Sequence, residues 1–387
     1  MTNETIYLDH AATTPVRAEV REAMAPYYEG RWGNPSSTHR WGREARTALE
    51  DARERVAAVL GAVRSEVLFT SGGTEADNLA VLGRWRVAGG GIACSAIEHR
   101  AVLDAARMAA RGGARVQILG VDARGVEDLA ALDEALHERP ALVSVMWGNN
   151  EVGTLQPVSA LGERCRSEGL VFHADAVQAF GRVAVRVDET PVDLVSVSGH
   201  KIGGPKGVGA LYARSGVQLE PLLWGGGQQR DLRPGTENVA GAVALAVAAE
   251  LAAQEREAES ARQTALRDRL EAGLAAKVPG MTVNGAGAPR LPHVLNVLIP
   301  SVDQEMLLAA LDMEGIAASS GSACHSGAVE PSHVLVAMGR MTGGEASLRF
   351  SLGRTTTDAE IDRALDIVPG VISRLRERSG GWPPEAA

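Results

Sequence analysis

Short apolar runs alternate with stretches of helical periodicity through the first two-thirds of the chain. Seven of these runs have the length of buried strands, at 67–70, 91–95, 115–119, 142–147, 170–175, 193–198 and 207–213. Between them, stretches such as 74–88 and 101–112 place apolar residues three or four positions apart, as helices that cover a sheet do. The alternation predicts an α/β fold with a mainly parallel, seven-stranded sheet.

The pattern changes near residue 240. Residues 243–274, rich in Ala, Glu and Arg, predict one long helix or two, and 293–299 predicts a strand with further helices after it. This region predicts a second, smaller α+β domain. The first fifteen residues are too few to form a domain and are expected to pack against it. We therefore expect a large domain at 16–257 and a small domain made of 1–15 and 258–387.

Charge and composition exclude some functions. The 387 residues include 48 acidic and 39 basic side chains, for a net charge of −9, which disfavours direct binding to nucleic acid. No segment offers about 18 uninterrupted apolar residues, and the N-terminus lacks a basic region followed by an apolar one, so we expect neither a membrane span nor export. The chain has three widely spaced cysteines, which suit neither a disulfide framework nor a CxxC metal site. We therefore expect a cytoplasmic protein.

Two of the predicted strands end in polar residues that could bind a ligand. In FTSGGTEADN, a strand ends before Gly73, and Thr74 opens a helix whose free backbone N–H groups suit a phosphate. The alternative is an ordinary turn with Thr74 as the N-cap. In HADAVQ, Asp175 ends a strand and Gln178 follows, so both would lie at the sheet edge where ligands gather. Taken alone, Asp175 is better explained as a helix-capping residue.

Lysine is rare in this chain, which has only Lys201, Lys206 and Lys277. An apolar predicted strand leads into a glycine-rich turn, and Ser198, His200 and Lys201 lie where the two meet. A lysine at that depth has a lowered pKa and a nucleophilic amine, which suits Schiff-base formation with an aldehyde. The alternative, a solvated loop lysine, fits Lys206 better than Lys201.

Cys324 lies among small polar residues in SSGSACHSG, with no periodic apolar pattern to bury it. We expect an exposed thiol, and an exposed thiolate can act as a nucleophile, favoured by a protonated His325. Cys94 falls in a predicted strand and Cys165 in a predicted helix, so both are assigned to the core. A zinc site at Cys324, His325 and His333 is disfavoured because no second cluster supplies the other ligands. No metal site is expected.

Several polar residues are weaker candidates when each is taken alone. His99 follows a strand, Asn150 lies in a turn, and Thr236 lies in the glycine-rich segment 225–238. Arg349 alternates with apolar neighbours in a run that predicts a strand. Such an arginine commonly faces the surface, but in a cleft its guanidinium could bind a carboxylate through two hydrogen bonds.

Together with YLDHAATTP at 7–15, RWGNPSSTHRWG at 31–42 and SLGRTTTDAEID at 351–362, these motifs run in a uniform order along the chain. The chain resembles the cysteine desulfurases of the NifS/IscS type, in the class V branch of the fold-type-I pyridoxal-phosphate enzymes. The resemblance implies a homodimer that binds pyridoxal 5′-phosphate on the large domain and carries a catalytic cysteine loop on the small one.

The resemblance also implies roles around the coenzyme. Lys201 would form the Schiff base and move the Cα proton, while Asp175 would pair with the pyridine nitrogen. Gln178 would donate to the ring oxygen O3′, and His99 would stack on the ring and assist proton transfer. The phosphate would be held by Gly73, Thr74, Ser198 and His200, joined by Thr236 from the neighbouring subunit.

For the substrate, the resemblance implies L-cysteine, oriented by Asn150 and Arg349. Asn150 would also contact the coenzyme, and Arg349 would take the α-carboxylate. Cys324 would then attack the substrate sulfur, giving L-alanine and a persulfide on Cys324. That sulfur would pass to an acceptor protein such as an iron–sulfur scaffold or a thiolation relay protein.

Two other functions compete with this interpretation. One is a different class V enzyme, such as a selenocysteine lyase or an aminotransferase. The other is a non-catalytic assembly protein that keeps the fold for partner binding and would hold no coenzyme at Lys201.

Overall fold

A computed structural model of the chain describes residues 5–321, 331–341 and 345–378. Cys324 and His325, singled out from the sequence, lie outside the described residues. Cys94 and Cys165 lie within them, the first in a strand and the second in a helix, and both are buried as expected.

The described residues form twelve strands. They are β1 (Ile6–Tyr7), β2 (Val67–Thr70), β3 (Gly91–Ser95), β4 (Arg115–Leu119), β5 (Leu142–Ser144), β6 (Phe172–Asp175), β7 (Leu194–Ser198), β8 (Gly209–Ala213), β9 (Thr282–Val283), β10 (Val294–Pro300), β11 (Ile316–Ala317) and β12 (Glu345–Ser351).

The described residues also form twelve α-helices. They are α1 (Ala18–Met24), α2 (Pro26–Glu29), α3 (Arg40–Leu60), α4 (Gly73–Asn78), α5 (Arg84–Ala88), α6 (Arg100–Arg111), α7 (Leu129–His137), α8 (Val158–Ser167), α9 (Val239–Lys277), α10 (Gln304–Met313), α11 (His333–Ala337) and α12 (Asp358–Arg378). A π-helical stretch, Leu79–Gly83, joins α4 to α5, so the helix predicted at 74–88 is helical throughout.

Among the described residues, the seven predicted strands form one sheet in the order β2-β8-β7-β6-β5-β3-β4. β8 runs antiparallel to both of its neighbours, and the other pairs in the sheet are parallel. The short connection from β7 to β8 has no crossover helix, so β8 can only return antiparallel. The prediction of a mainly parallel, seven-stranded sheet is confirmed.

The strands that come after the large sheet in the sequence form two smaller sheets, one of which includes β1. β10 pairs antiparallel with both β12 and β9, and β1 pairs in parallel with β11. A separate hydrophobic cluster lies here and includes Ile6, Leu8, Leu348 and Ile361. The first residues therefore pack against the C-terminal part of the chain, as expected.

The stretch predicted as one long helix or two is a single helix, α9. Its first part packs Ala242 and Leu245 into the core of the large sheet, and its later part packs Leu266 and Leu270 into the second cluster. At about 1.5 Å per residue, its 39 residues are long enough to join the two cores. The exact domain limits remain a prediction.

Within the described ranges, no helix is both long enough and apolar enough to cross a membrane.

Candidate active site

A cavity of about 720 Å³ opens where strands of the large sheet end, between that sheet and β12. This is the edge at which α/β sheets bind ligands. It brings together ten residues selected from the sequence: Gly73, Thr74, His99, Asn150, Asp175, Gln178, Ser198, His200, Lys201 and Arg349. Thr236 is exposed and is not among the residues that line the cavity in its own chain.

Lys201 lies in a short 3-10 turn directly after β7. Its Nζ donates hydrogen bonds to the backbone oxygens of Ala11 and Ala12, at 2.5 and 2.8 Å. Burial, and then the charge of Arg349, lower its pKa to about 8. A larger fraction of Lys201 is therefore neutral at pH 7 than of a lysine in water. Lys206, by contrast, is exposed, as expected of a loop lysine.

Asp175 ends β6 and is buried at the floor of the cavity. Its Oδ1 accepts a hydrogen bond from the backbone N–H of Val177 at 2.8 Å. Burial raises the pKa of Asp175, while the charges of His99 and Lys201 lower it.

Two further buried acidic residues, Asp77 and Glu98, lie close enough to Asp175 for its charge to change their pKa. Burial and the charge of Asp175 together raise the pKa of both Asp77 and Glu98. One oxygen of each, Asp77 Oδ1 and Glu98 Oε2, has no hydrogen-bond partner among the described residues. A cation bound beside these carboxyl groups would be strongly stabilised.

His99 is the N-cap of α6, which explains why it follows the strand so closely. Its Nδ1 accepts the backbone N–H of Ala101 at 3.1 Å. In the neutral ring the proton must then sit on Nε2. Because His99 lines the cavity, this N–H is available to a ligand there.

The other end of the cavity is suited to an anion. The hydroxyl of Ser198 is buried and has no hydrogen-bond partner among the described residues. A Cβ built at Gly73 would lie 2.6 Å from Cγ2 of Val177, so only glycine fits there. The backbone N–H groups of Gly73 and Thr74 lack helical partners because they open α4.

The start of this helix corrects one expectation. Thr74 does not open α4, since the helix begins one residue earlier, at Gly73, and Gly72 holds the N-cap position. Gly72 has a φ of +153°, a conformation that glycine adopts without strain and that turns the chain into the helix.

A segment near the N-terminus covers part of the site. Nδ1 of His200 lies 3.1 Å from Oγ1 of Thr13, and burial lowers the pKa of His200 to about 4, so its ring is neutral. Nε2 of Gln178 donates to the backbone oxygen of Ala11 at 2.9 Å. The same carbonyl accepts the Lys201 amine, so Ala11 bridges two of the predicted site residues.

Arg349 lies on β12, is almost fully buried and lines the cavity, so of the two positions considered from the sequence it takes the cleft rather than the surface. Its Nη2 pairs with Oδ1 of Asp9 at 2.7 Å. Its Nη1 donates to the backbone oxygens of Asn150 at 2.9 Å and Gly321 at 3.5 Å.

Sequence reasoning missed several residues of the site. Asp9 lay within a quoted motif, and Glu151 stood beside Asn150, but neither was given a role. Glu151 is buried and accepts a hydrogen bond from Oγ of Ser332 at 2.5 Å. Ser332 lies more than 180 residues away from Glu151 in the chain. No local pattern in the sequence indicates that pairing.

The comparison with protein families matches residues 6–364 to the family described as aminotransferase class-V. This chain belongs to the class-V aminotransferase family. Among the class-V relatives, the cysteine desulfurase of Gluconacetobacter diazotrophicus is 46% identical, over 99% of this chain and 97% of the relative.

Solved structures agree with this family assignment. The NifS-like protein from Rickettsia africae has a TM-score of 0.88 and 32% identity, covering 96% of this chain and all of that one. The protein named SspA in complex with cysteine has a TM-score of 0.79 and 34% identity, covering 90% of this chain and 99% of that one.

Membership of the class-V family implies pyridoxal phosphate, and the residues in the cavity fit that group. Lys201 supplies an amine with a lowered pKa, and the buried carboxyl group of Asp175 can pair with a ring cation. Ser198, beside Gly73, supplies a hydroxyl that has no hydrogen-bond partner in the described part of the chain. No group of three or more His, Cys, Asp or Glu side chains in the described ranges is placed to hold a metal ion.

Proposed function

We propose that this protein is a pyridoxal-phosphate-dependent cysteine desulfurase that converts L-cysteine to L-alanine and a persulfide on Cys324. The observation that carries the proposal is that Lys201, Asp175 and Arg349 line one cavity. An amine for an aldehyde, a carboxylate for a ring cation and a guanidinium for an α-carboxylate are thus within reach of one small molecule. The similar proteins named as a cysteine desulfurase and as a cysteine complex support the choice of substrate.

The proposed coenzyme contacts divide between the two ends of the cavity. Lys201 would hold the aldehyde carbon, Asp175 the ring nitrogen, Gln178 the ring oxygen and His99 the ring face. The phosphate would be held by Gly73, Thr74, Ser198, His200 and the partner subunit's Thr236. When bound, the coenzyme supplies an electron sink for the charge that develops on the substrate carbon skeleton.

The residues of the chain would bind the substrate and move its protons. Arg349, with Asn150, would orient L-cysteine by its α-carboxylate. The amine of Lys201 would take and return the Cα proton, a role to which its pKa of about 8 is suited, because a base works best with a pKa near the working pH.

Cys324 would accept the sulfur. Its thiolate forms an S–S bond with the substrate sulfur as the C–S bond breaks, and a proton at the former sulfur-bearing carbon completes L-alanine. Gly321 lines the cavity and stands three residues before Cys324, a length of chain that spans at most about 10 Å. Cys94 and Cys165 cannot replace it, because both are buried and burial raises the pKa of each thiol.

We further propose a homodimer that passes sulfur to an acceptor protein in the cytoplasm, such as an iron–sulfur scaffold or a thiolation relay protein. Trp32 and Trp224 are 66% and 73% exposed, and Trp41 and Tyr28 are also exposed. Large exposed aromatic side chains favour an interface that a single chain leaves uncovered.

The proposal is tested by incubating the coenzyme-loaded protein with L-cysteine. We expect release of L-alanine and a mass gain of one sulfur atom on the peptide that contains Cys324. Cys324→Ala should bind the coenzyme normally yet form no persulfide, whereas Lys201→Ala should not develop the yellow colour of the bound coenzyme.

Cys165→Ala is the matched control, because it removes a thiol that the structure buries away from the cavity. It should still form the persulfide. Persulfide formation by Cys324→Ala would exclude Cys324 as the sulfur carrier.

A further inference from the structure

Arg349, which lines the cavity, belongs to an ion pair that the proposed function leaves unexplained. Oδ1 of Asp9 lies 2.7 Å from Nη2 of Arg349. The side chain of Arg349 is 5% exposed and that of Asp9 is 22% exposed. A pair buried to this degree is little screened by salt, unlike an ion pair on the surface.

Neither of the other nitrogens of this guanidinium is open to a ligand. Nη1 donates to the carbonyls of Asn150 and Gly321. Nε is buried and has no hydrogen-bond partner among the described residues, so it is closed to a ligand that approaches from solvent. A carboxylate prefers to bind an arginine through two parallel hydrogen bonds. A ligand carboxylate that approaches the terminal nitrogens therefore meets a site that Asp9 already holds.

The fold holds the backbone of Asp9 beside Arg349. Asp9 forms a backbone bridge with Ser351, and the backbone N–H of Ser351 donates to Leu8 at 2.7 Å. The carbonyl of Asp9 accepts the N–H of Ala12 at 3.1 Å. Asp9 is thus anchored to the strand that carries Arg349.

We infer that Asp9 is a specificity-determining residue that competes with the substrate α-carboxylate for Arg349. The inference rests on the proposed function, which assigns that carboxylate to Arg349. When a group of the protein occupies a binding site, a ligand must displace it at a cost in free energy. The apparent dissociation constant of the ligand rises accordingly. Only a ligand with its own carboxylate gains enough at Arg349 to displace Asp9. The partly exposed Asp9 side chain then turns towards solvent.

The test compares Asp9→Asn with the unaltered chain, both loaded with coenzyme. L-Alanine keeps the carboxylate and lacks sulfur, so its binding can be titrated through the coenzyme absorbance without turnover. We expect its dissociation constant to fall roughly 5- to 30-fold in Asp9→Asn, the change expected from losing one charge-assisted hydrogen bond that competes with the ligand. KM for L-cysteine should fall likewise, with a smaller change in kcat.

Two controls separate competition from a general change in the site. L-Alaninol has no carboxylate, and its binding should be the same in both proteins. Asp104→Asn removes an aspartate that also pairs with an arginine, Arg107, at 2.6 Å, but on the exposed face of α6. Asp104→Asn should bind L-alanine as the unaltered chain does.

Weaker L-alanine binding in Asp9→Asn would show that Asp9 only holds Arg349 in place, and it would overturn the inference. Unchanged L-alanine binding, or equal tightening of L-alanine and L-alaninol, would overturn it as well. Asp9→Ser, which also removes the charge, decides the question if Asp9→Asn does not fold. Because the titration needs no sulfur transfer, absence of persulfide would refute the proposed function and leave this result standing.

Discussion

The chemistry of individual residues depends on burial at the ends of the strands. Lys201 and Asp175 would be ordinary charged groups in water, but burial lowers the pKa of the lysine and raises that of the aspartate. Their opposite charges partly offset these shifts. The amine of Lys201 is therefore partly neutral, and the carboxyl group of Asp175 can pair with a cation. A pyridoxal coenzyme requires both properties.

The first prediction concerns the pH dependence of coenzyme capture by Lys201. Only the neutral amine attacks an aldehyde, and its pKa of about 8 lies below the usual lysine value. The rate of coenzyme binding to the coenzyme-free chain should rise with pH and level off above about pH 8. The growth of the yellow absorbance between pH 6 and 10 measures this rate. A rate that keeps rising to pH 10 would contradict the lowered pKa.

The second prediction concerns the contact between Ser332 and Glu151. Ser332→Ala leaves a buried carboxyl oxygen without its donor, so the free energy of unfolding should fall by about 1–3 kcal/mol. Urea unfolding measures the change. Ser167→Ala is the control, because its hydroxyl bonds to the carbonyl of Arg164 on an exposed surface, and it should change stability by less than about 0.5 kcal/mol. Equal losses would argue against a special role for the buried pair.

At the scale of elements, helices of similar appearance differ in how tightly they are packed. α8 approaches the chain at Pro191 so closely that a Cβ built at Gly162 would lie 2.1 Å from the Pro191 carbonyl oxygen. α12 leaves room at Gly370, where the nearest atom outside the local helix backbone, Nη1 of Arg374, is 3.8 Å from a built Cβ. Glycine is required in the first helix and merely tolerated in the second.

The third prediction follows from this pair of helices. Gly162→Ala should lower the free energy of unfolding by about 1–3 kcal/mol, because the new methyl group must displace backbone. Gly370→Ala should raise it by about 0.5–1 kcal/mol, because alanine is the better helix former. Thermal unfolding of both variants gives the sign directly. A loss of stability in Gly370→Ala would show that α12 is packed more tightly there than the structure indicates.

At the scale of the whole molecule, the site depends on contacts between distant parts of the chain. Asp9 comes from the first segment, Lys201 from the turn after β7, and Arg349 from the antiparallel sheet. α9 contributes side chains to both hydrophobic cores. In the proposed homodimer, Thr236 would complete the phosphate site of the other subunit.

The fourth prediction tests this shared site by mixing two variants. Lys201→Ala cannot form the bond to the coenzyme, and Thr236→Glu would repel its phosphate. Each homodimer alone should hold little coenzyme. A mixed dimer contains one site with an intact Lys201 and an intact Thr236, so subunit exchange should restore the yellow absorbance at about one site in each mixed dimer.

A mixture of these variants that remains colourless, although mixed dimers are detected by mass, would place Thr236 outside the neighbouring site. Strong coenzyme binding by Thr236→Glu alone would have the same meaning.

The sequence by itself predicted the layers of the fold and ten of the residues that line the cavity. Period-2 and period-3.6 patterns are local, so the seven strands and the helices between them could be located within a few residues. Residues at or just after the ends of strands, such as Asp175 and Lys201, were predictable because the carboxyl ends of parallel strands meet at one edge.

Only the tertiary structure decided which groups meet across long separations in the chain. Three contacts in the site join residues more than 180 positions apart. They are the ion pair of Asp9 with Arg349, the hydrogen bond between Ser332 and Glu151, and the hydrogen bond from Lys201 to Ala11. Periodicity carries no information about such contacts, because they depend on how two cores and a long helix are packed together. The same packing sets the burial of Lys201, and so the pKa on which the proposed chemistry depends.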